Sequence, residues 1–215
     1  LMLGWKAGRG PFRGLLAVSM GMLPGNGKRY SFDAIEPAAD SPLRGGHLCI
    51  LGSSVAYGFA SKQCAVGEYL AARLGMSLTK EAVSGTTLTD TGAGSYVQRM
   101  RNRIDPHAHF DLFLCQLSTN DATQQKPLGA ISAGRELADF DTSTVTGAME
   151  YIIVYAQQTW HCPVAFFTGA RYDSAAYEAM VARLHALAQK YGIIVLDLWS
   201  DAAFNTLSDA DRRLY

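Results

Sequence analysis

Three short stretches of this chain carry residue types that suit acyl transfer, and each falls at the end of a candidate strand. The first is Gly52-Ser53-Ser54-Val55-Ala56-Tyr57-Gly58, the second Ser84-Gly85-Thr86-Thr87, and the third Leu117-Ser118-Thr119-Asn120-Asp121. A serine just after a sharp glycine turn directs its hydroxyl away from the strand, and the backbone amides that follow can face an oxyanion. Gly85 lets a backbone N–H approach closely, and the Asn120 side chain brings an amide donor. Acyl transfer needs this set around one carbonyl: a hydroxyl to attack, and donors for the oxygen that becomes negative. Each stretch also has an ordinary reading. Serines in such loops cap the next helix, Gly85 makes a turn, and Asn120-Asp121 make Asx-type hydrogen bonds.

The elements that must position these residues form a regular series from His47 onward. Strands are expected at His47–Leu51, Leu78–Val83, Phe110–Leu117, Pro163–Phe167 and Ile193–Leu198, several near-continuously apolar as in a sheet covered on both faces. Helical spacing of apolar residues marks 63–74, 142–160 and 174–191, with Asp141 as N-cap of the second and Gly75 and Gly192 closing the first and third. The alternation predicts a three-layer α/β sandwich around a five-stranded parallel sheet. In such sheets ligands bind at the carboxyl ends of the strands, where all three stretches fall. Residues 1–45 are rich in Gly and Pro and read as an extension packing on the domain formed by 46–215.

Phosphate-binding alternatives fail in detail. Gly27-Lys28 has no glycine at position 22 and is followed by Arg29, so it is not a P-loop. Gly92-Ala93-Gly94 has no glycine at 97, so the dinucleotide fingerprint is absent. A flavodoxin-like domain that uses the first loop as an anion nest keeps the same fold.

The three stretches, in this order, resemble the SGNH (GDSL) hydrolase family over roughly residues 46–215. The first resembles that family's G-D-S turn with its serine nucleophile, the second its glycine block, and the third its G-x-N-D turn. The resemblance implies a flavodoxin-like strand order 2-1-3-4-5 and serine-dependent ester hydrolysis. It implies Ser54 as nucleophile and an oxyanion hole from Ser54, Gly85 and Asn120, with no cofactor and no metal. Its substrate would be a small-molecule ester, of a carbohydrate or a lipid; the alternative is a non-catalytic carbohydrate- or acyl-binding module on the same fold. Two positions depart from the pattern: Ser53 stands in place of Asp and is expected to hydrogen-bond locally, and Ser118 stands in place of Gly. The family's late D-x-x-H is absent, because none of His47, His107, His109, His161 and His185 has an aspartate three residues before it. The catalytic His and Asp are therefore expected beyond Tyr215.

The remaining signals are blander. Nineteen Lys and Arg balance nineteen Asp and Glu in 215 residues, which disfavours a nucleic-acid partner. The apolar run Leu15–Leu23 is too short to span a bilayer. Four cysteines at wide spacing predict free thiols, with Cys49 and Cys115 buried on neighbouring strands, and a cytoplasmic setting; secretion is the weaker alternative, on a faint leader-like pattern lacking an A-x-A site. His107 and His109 read as loop residues rather than metal ligands, and His185 as a helix-face residue. Tyr57 and Phe59 either line an acyl pocket or pack against the sheet.

Overall fold

In a computed structural model, residues 26–206 are described. Five strands form one parallel sheet: β1 (His47–Gly52), β2 (Ser77–Ala82), β3 (Leu112–Gln116), β4 (Val164–Phe167) and β5 (Ile194–Leu196), in the order β2-β1-β3-β4-β5. This is the expected fold class and strand order. The chain steps from β1 outward to β2, then returns past β1 to begin β3, so the order reverses between β1 and β3. Their carboxyl ends flank the crevice that such a switch point leaves open.

Side-chain alternation along β1 divides the core. Cys49 and Leu51 face one side with Phe113, Cys115, Val164 and Phe166, whereas Leu48 and Ile50 face the other with Leu114, Ala165 and Phe167. The first face packs against helices α3 (Tyr96–Arg103), α5 (Val145–Trp160) and α6 (Ala175–Tyr191). The second packs against α1 (Ser54–Tyr57) and α2 (Val66–Leu74). Short helices α4 (Thr119–Thr123) and α7 (Ala202–Asn205) follow β3 and β5. Cys49 and Cys115 are buried free thiols on the paired strands β1 and β3, and Cys64 and Cys162 are also free.

Several boundaries differ from expectation for local reasons. The helix expected over 63–74 starts at Val66. Lys62 and Gln63 both have positive φ (55° and 63°), so they belong to the turn after Gly58, and Glu68 reaches back to accept the Ala65 N–H. The helix expected from 142 starts at Val145, because Thr144 rather than Asp141 caps it, its hydroxyl accepting from the Gly147 N–H at 3.1 Å. Asp141 instead holds the preceding turn by accepting from Ser143. β5 is an edge strand rather than a fully covered one, with Ile194 and Leu196 exposed. Three further helices lie outside the expected set: α1 and α4 are too short to show an apolar period, and α3 buries Tyr96, Val97 and Met100 but is rich in arginine.

One buried charge anchors the long loop between α4 and α5. Glu150 is fully buried, and it accepts from Lys190 Nζ (2.8 Å), the Tyr191 hydroxyl (2.8 Å) and the Ser132 N–H (3.0 Å). Lys190 donates further to the Ser132 and Gly134 carbonyls. Burial would lower the Lys190 pKa, but Glu150 and Tyr191 hold it above the usual lysine value. Removing one member of a buried pair strands the other. Lys190→Met is expected to destabilise the protein by about 3–5 kcal/mol, read as a lower denaturation midpoint in urea.

Candidate active site

Ser53 and Ser54 are neighbours with opposite fates. Ser53 is fully buried, and its hydroxyl accepts from Gln116 Nε2 at 3.1 Å. Gln116 Oε1 in turn accepts from the Ser53 N–H (3.0 Å) and the Ala56 N–H (2.9 Å). A side chain from β3, not the adjacent serine, thus caps the first turn of α1. The local hydrogen bond expected of Ser53 is in fact a link across 63 residues. Ser54, at the first position of α1, is half-buried, and among the described residues neither its hydroxyl nor its N–H has a hydrogen-bond partner.

This arrangement demands glycine at 52. A Cβ there would collide with the Ala56 methyl and stand 2.9 Å from Gln116 Oε1, where the capping amide sits. Gly85 is needed for a different reason: its φ is +85°, in the left-handed region. Its N–H likewise has no partner among the described residues.

The second and third stretches meet at Thr86. Asn120 Nδ2 donates to the Thr86 carbonyl at 2.8 Å, which uses one of its two amide hydrogens. Ser118 caps α4 by accepting from the Asn120 N–H at 3.1 Å. Asp121 is fully buried and accepts from the Leu88 and Thr89 N–H groups at 2.7 and 3.1 Å. Burial pushes its carboxyl up, and those two N–H groups pull against the shift. Asp121 therefore holds the segment after Gly85 onto the start of α4, a long-range role rather than the Asx turn its sequence suggests.

Links among the three strand ends are continuous. The Val83 N–H donates to the Gly52 carbonyl (3.2 Å), joining the ends of β1 and β2. Gln116 joins β1 to β3, and Asn120 joins β3 to the Gly85 loop. Ser54, Gly85 and Asn120 stand on three segments tied to one another at the switch point. Sequence reasoning missed Gln116, the polar last residue of β3, and read Asp121, inside α4, only as a turn former. The signal was a glutamine closing an otherwise apolar strand.

The histidines lie elsewhere. His47 begins β1, His107 and His109 precede β3, and His161 precedes β4, so all four are at the amino edge of the parallel sheet, opposite Ser54. His47 Nε2 pairs with the Thr79 hydroxyl at 2.8 Å. No cluster that could hold a metal ion occurs among the described residues, His107 and His109 included. His185, on α6, pairs with Asp197 just past β5 at 2.8 Å. Burial would raise the Asp197 pKa, but the Ser200 N–H and His185 hold it below the usual value. β5 is three strand positions from β1, about 14 Å at the usual interstrand spacing, so this pair is remote from Ser54. Tyr57 is half-buried, and the Lys80 ammonium lies 5.8 Å from its ring centre.

A three-layer α/β sandwich with a serine turn, a glycine loop and an asparagine at its switch point has the architecture of a flavodoxin-like hydrolase. Residues 50–214 match the GDSL-like lipase/acylhydrolase family, and the chain belongs to it. Solved structures share the fold at low identity. A protein of the G-D-S-L family from Desulfitobacterium hafniense is 13% identical with a TM-score of 0.59, over 76% of this chain and 85% of its own. A protein assigned as a GDSL-like lipase from Bacteroides ovatus is 18% identical with a TM-score of 0.56, over 73% and 86%. A variant of an acetyl-xylooligosaccharide esterase from Geobacillus is 16% identical with a TM-score of 0.54, over 78% and 83%. No curated protein matches the chain in sequence. No helix among the described residues is long and apolar enough to cross a membrane.

The Gln116 cap has a measurable consequence. A leucine in its place would leave two buried N–H groups without an acceptor, each costing about 1–3 kcal/mol. Gln116→Leu is expected to lower the thermal midpoint markedly, with the secondary structure seen by circular dichroism retained below it.

Proposed function

We propose that this member of the GDSL-like family hydrolyses an ester of a small molecule, with Ser54 as nucleophile. The Ser54 and Gly85 N–H groups and the second Asn120 amide hydrogen hold the oxyanion. The observation that carries the reading is the contrast within the serine pair: Ser53 is buried and used as a hydrogen-bond acceptor, whereas Ser54 keeps both its hydroxyl and its N–H unengaged. An amide already fixed at Thr86 is preorganised, so its remaining hydrogen can meet developing charge without reorganisation.

In the reaction so proposed, Ser54 Oγ attacks the acyl carbonyl while a general base removes its proton, and the carbonyl oxygen becomes an oxyanion between the three donors. Collapse expels the alcohol, which takes that proton from the base, and leaves an acyl-serine; water then hydrolyses it through a second tetrahedral intermediate, releasing the acid and restoring the Ser54 hydroxyl. The base lies outside residues 26–206 on this reading, since four histidines occupy the opposite sheet edge and His185 is held at Asp197. Carbohydrate esters and lipid esters both suit this chemistry. The esterase neighbour acting on acetyl-xylooligosaccharides favours trying acetylated sugars first.

The test is active-site labelling with kinetics. A fluorophosphonate is expected to label the full-length protein at Ser54, and Ser54→Ala to abolish both labelling and turnover of an acetyl ester. Label on Ser53 would remove Ser54 from the role. Binding of acetylated sugar with neither labelling nor turnover would favour a non-catalytic binding module. Asn120→Ala is expected to lower kcat about a hundredfold or more per folded molecule, the usual effect of losing one oxyanion donor.

A further inference from the structure

Arg99, in the middle of α3, is 1% exposed, an unusual place for a guanidinium. Its donors are all engaged. Nε donates to the Gly94 carbonyl at 3.0 Å, and Nη1 to the carbonyl and the carboxylate of Glu81 at 3.1 and 2.9 Å. Nη2 donates to the Gly52 carbonyl at 2.8 Å and to the Thr86 hydroxyl at 3.0 Å. Five contacts match the five N–H groups of a guanidinium.

The acceptors come from separate parts of the chain. Gly52 ends β1 two residues before Ser54, Glu81 lies in β2, Thr86 directly follows Gly85, and Gly94 lies in the loop before α3. We propose that Arg99 is a positioning residue for catalysis, fixing the Ser54 turn and the Gly85 loop at one separation. The proposal rests on the reading of Ser54 and Gly85 as acyl-transfer groups.

Two features go beyond what burial of an arginine requires. A single nitrogen, Nη2, bridges the Gly52 carbonyl and the Thr86 hydroxyl, so the Ser54 turn and the Gly85 loop share one rigid support. The Gly52 carbonyl that receives this charged hydrogen bond belongs to the peptide whose Ser53 N–H donates to Gln116 Oε1. Polarisation by the guanidinium strengthens that second bond, because hydrogen bonds in series reinforce one another. Thr86 extends the support on its far side: its hydroxyl donates to the Val83 carbonyl at 2.7 Å, and its own carbonyl accepts from Asn120. Lysine cannot replace this group, since one ammonium with three donors does not span four segments.

Position matters at this scale, because a misplacement of about 1 Å can cost a hundredfold in rate. The experiment compares the full-length wild type with Arg99→Lys, Thr86→Val and Thr86→Ser, by kcat and KM on an acetyl ester, fluorophosphonate labelling rate and thermal midpoint. Thr86→Val removes only the hydroxyl between Arg99 and the Gly85 loop and keeps Arg99, Gly85 and the carbonyl bound by Asn120. It is expected to lower kcat at least tenfold with KM within about twofold, and Thr86→Ser to restore kcat. Arg99→Lys is expected to lower kcat about a hundredfold. Variants that melt earlier but keep the wild-type kcat while folded would overturn the proposal and leave Arg99 a structural residue. Should Arg99→Lys fail to fold, the Thr86 pair decides. A wild type that neither turns over esters nor labels would overturn the proposed function and this inference with it. An active wild type with unaffected variants would overturn this inference alone.

Discussion

At the end of β1 the chain must turn from a strand buried on both faces directly into a helix, and the first N–H groups of that helix have no partner of their own. Water does not reach Ser53, so its N–H needs an acceptor from the protein. The Gln116 side chain meets the requirement, accepting from Ser53 and Ala56 and donating back to the Ser53 hydroxyl. Much else follows from this one capping amide. Gly52 has no room for a side chain because Gln116 and Ala56 occupy the space. Ser53 becomes part of the frame, and Ser54, one residue further along α1, is left with its hydroxyl and N–H unengaged.

The same demand for satisfied polar groups shapes the rest of this end of the sheet. Asp121 is buried to hold two backbone N–H groups, and Arg99 is buried to serve acceptors on four segments. Burying charge is costly, and an apolar core of equal volume is often as stable. An apolar core, however, would not fix the relative positions of three loops to within a hydrogen-bond length. Glu81 neutralises Arg99 at 2.9 Å and also lies 3.5 Å from Arg103 on the surface. The framework is polar and interlocked, while the faces of the sheet behind it are packed with Leu, Ile, Phe and Met.

Division of labour between the two edges of the sheet is equally plain. The carboxyl edge carries the serine, glycine and asparagine loops, whereas four of the five histidines sit at the amino edge in loops that enter strands. The fifth, His185, secures Asp197 at the far side of the sheet, where Asp197 also accepts from the Ser200 N–H and the Thr168 hydroxyl. In this way the turn after β5 is fastened to α6 and to the end of β4.

How much of this was legible beforehand depended on the range of the interaction concerned. The five strands and the long helices α5 and α6 were readable because apolar period is a local property of the chain. Boundaries moved wherever a cap competed, as Thr144 did with Asp141, since neighbouring side chains offer the same chemistry and only the backbone path selects one. Helices α1, α3 and α4 are not legible in the same way, because they are short or rich in polar residues; serines cap α3 and α4 locally, whereas α1 takes its cap from β3.

The order of the serine, glycine and asparagine stretches was enough to place the chain in its family, because those turns depend on residue types at fixed local spacing. The tertiary structure alone decided that Ser53 is a buried acceptor and Ser54 is unengaged, that Gln116 caps α1, and that Arg99 joins two loops. Each of those outcomes depends on a partner dozens of residues away or on the placement of one side chain against another strand. Separations of that kind leave no periodic mark in the sequence. They exist only once the sheet has brought β1, β2 and β3 side by side.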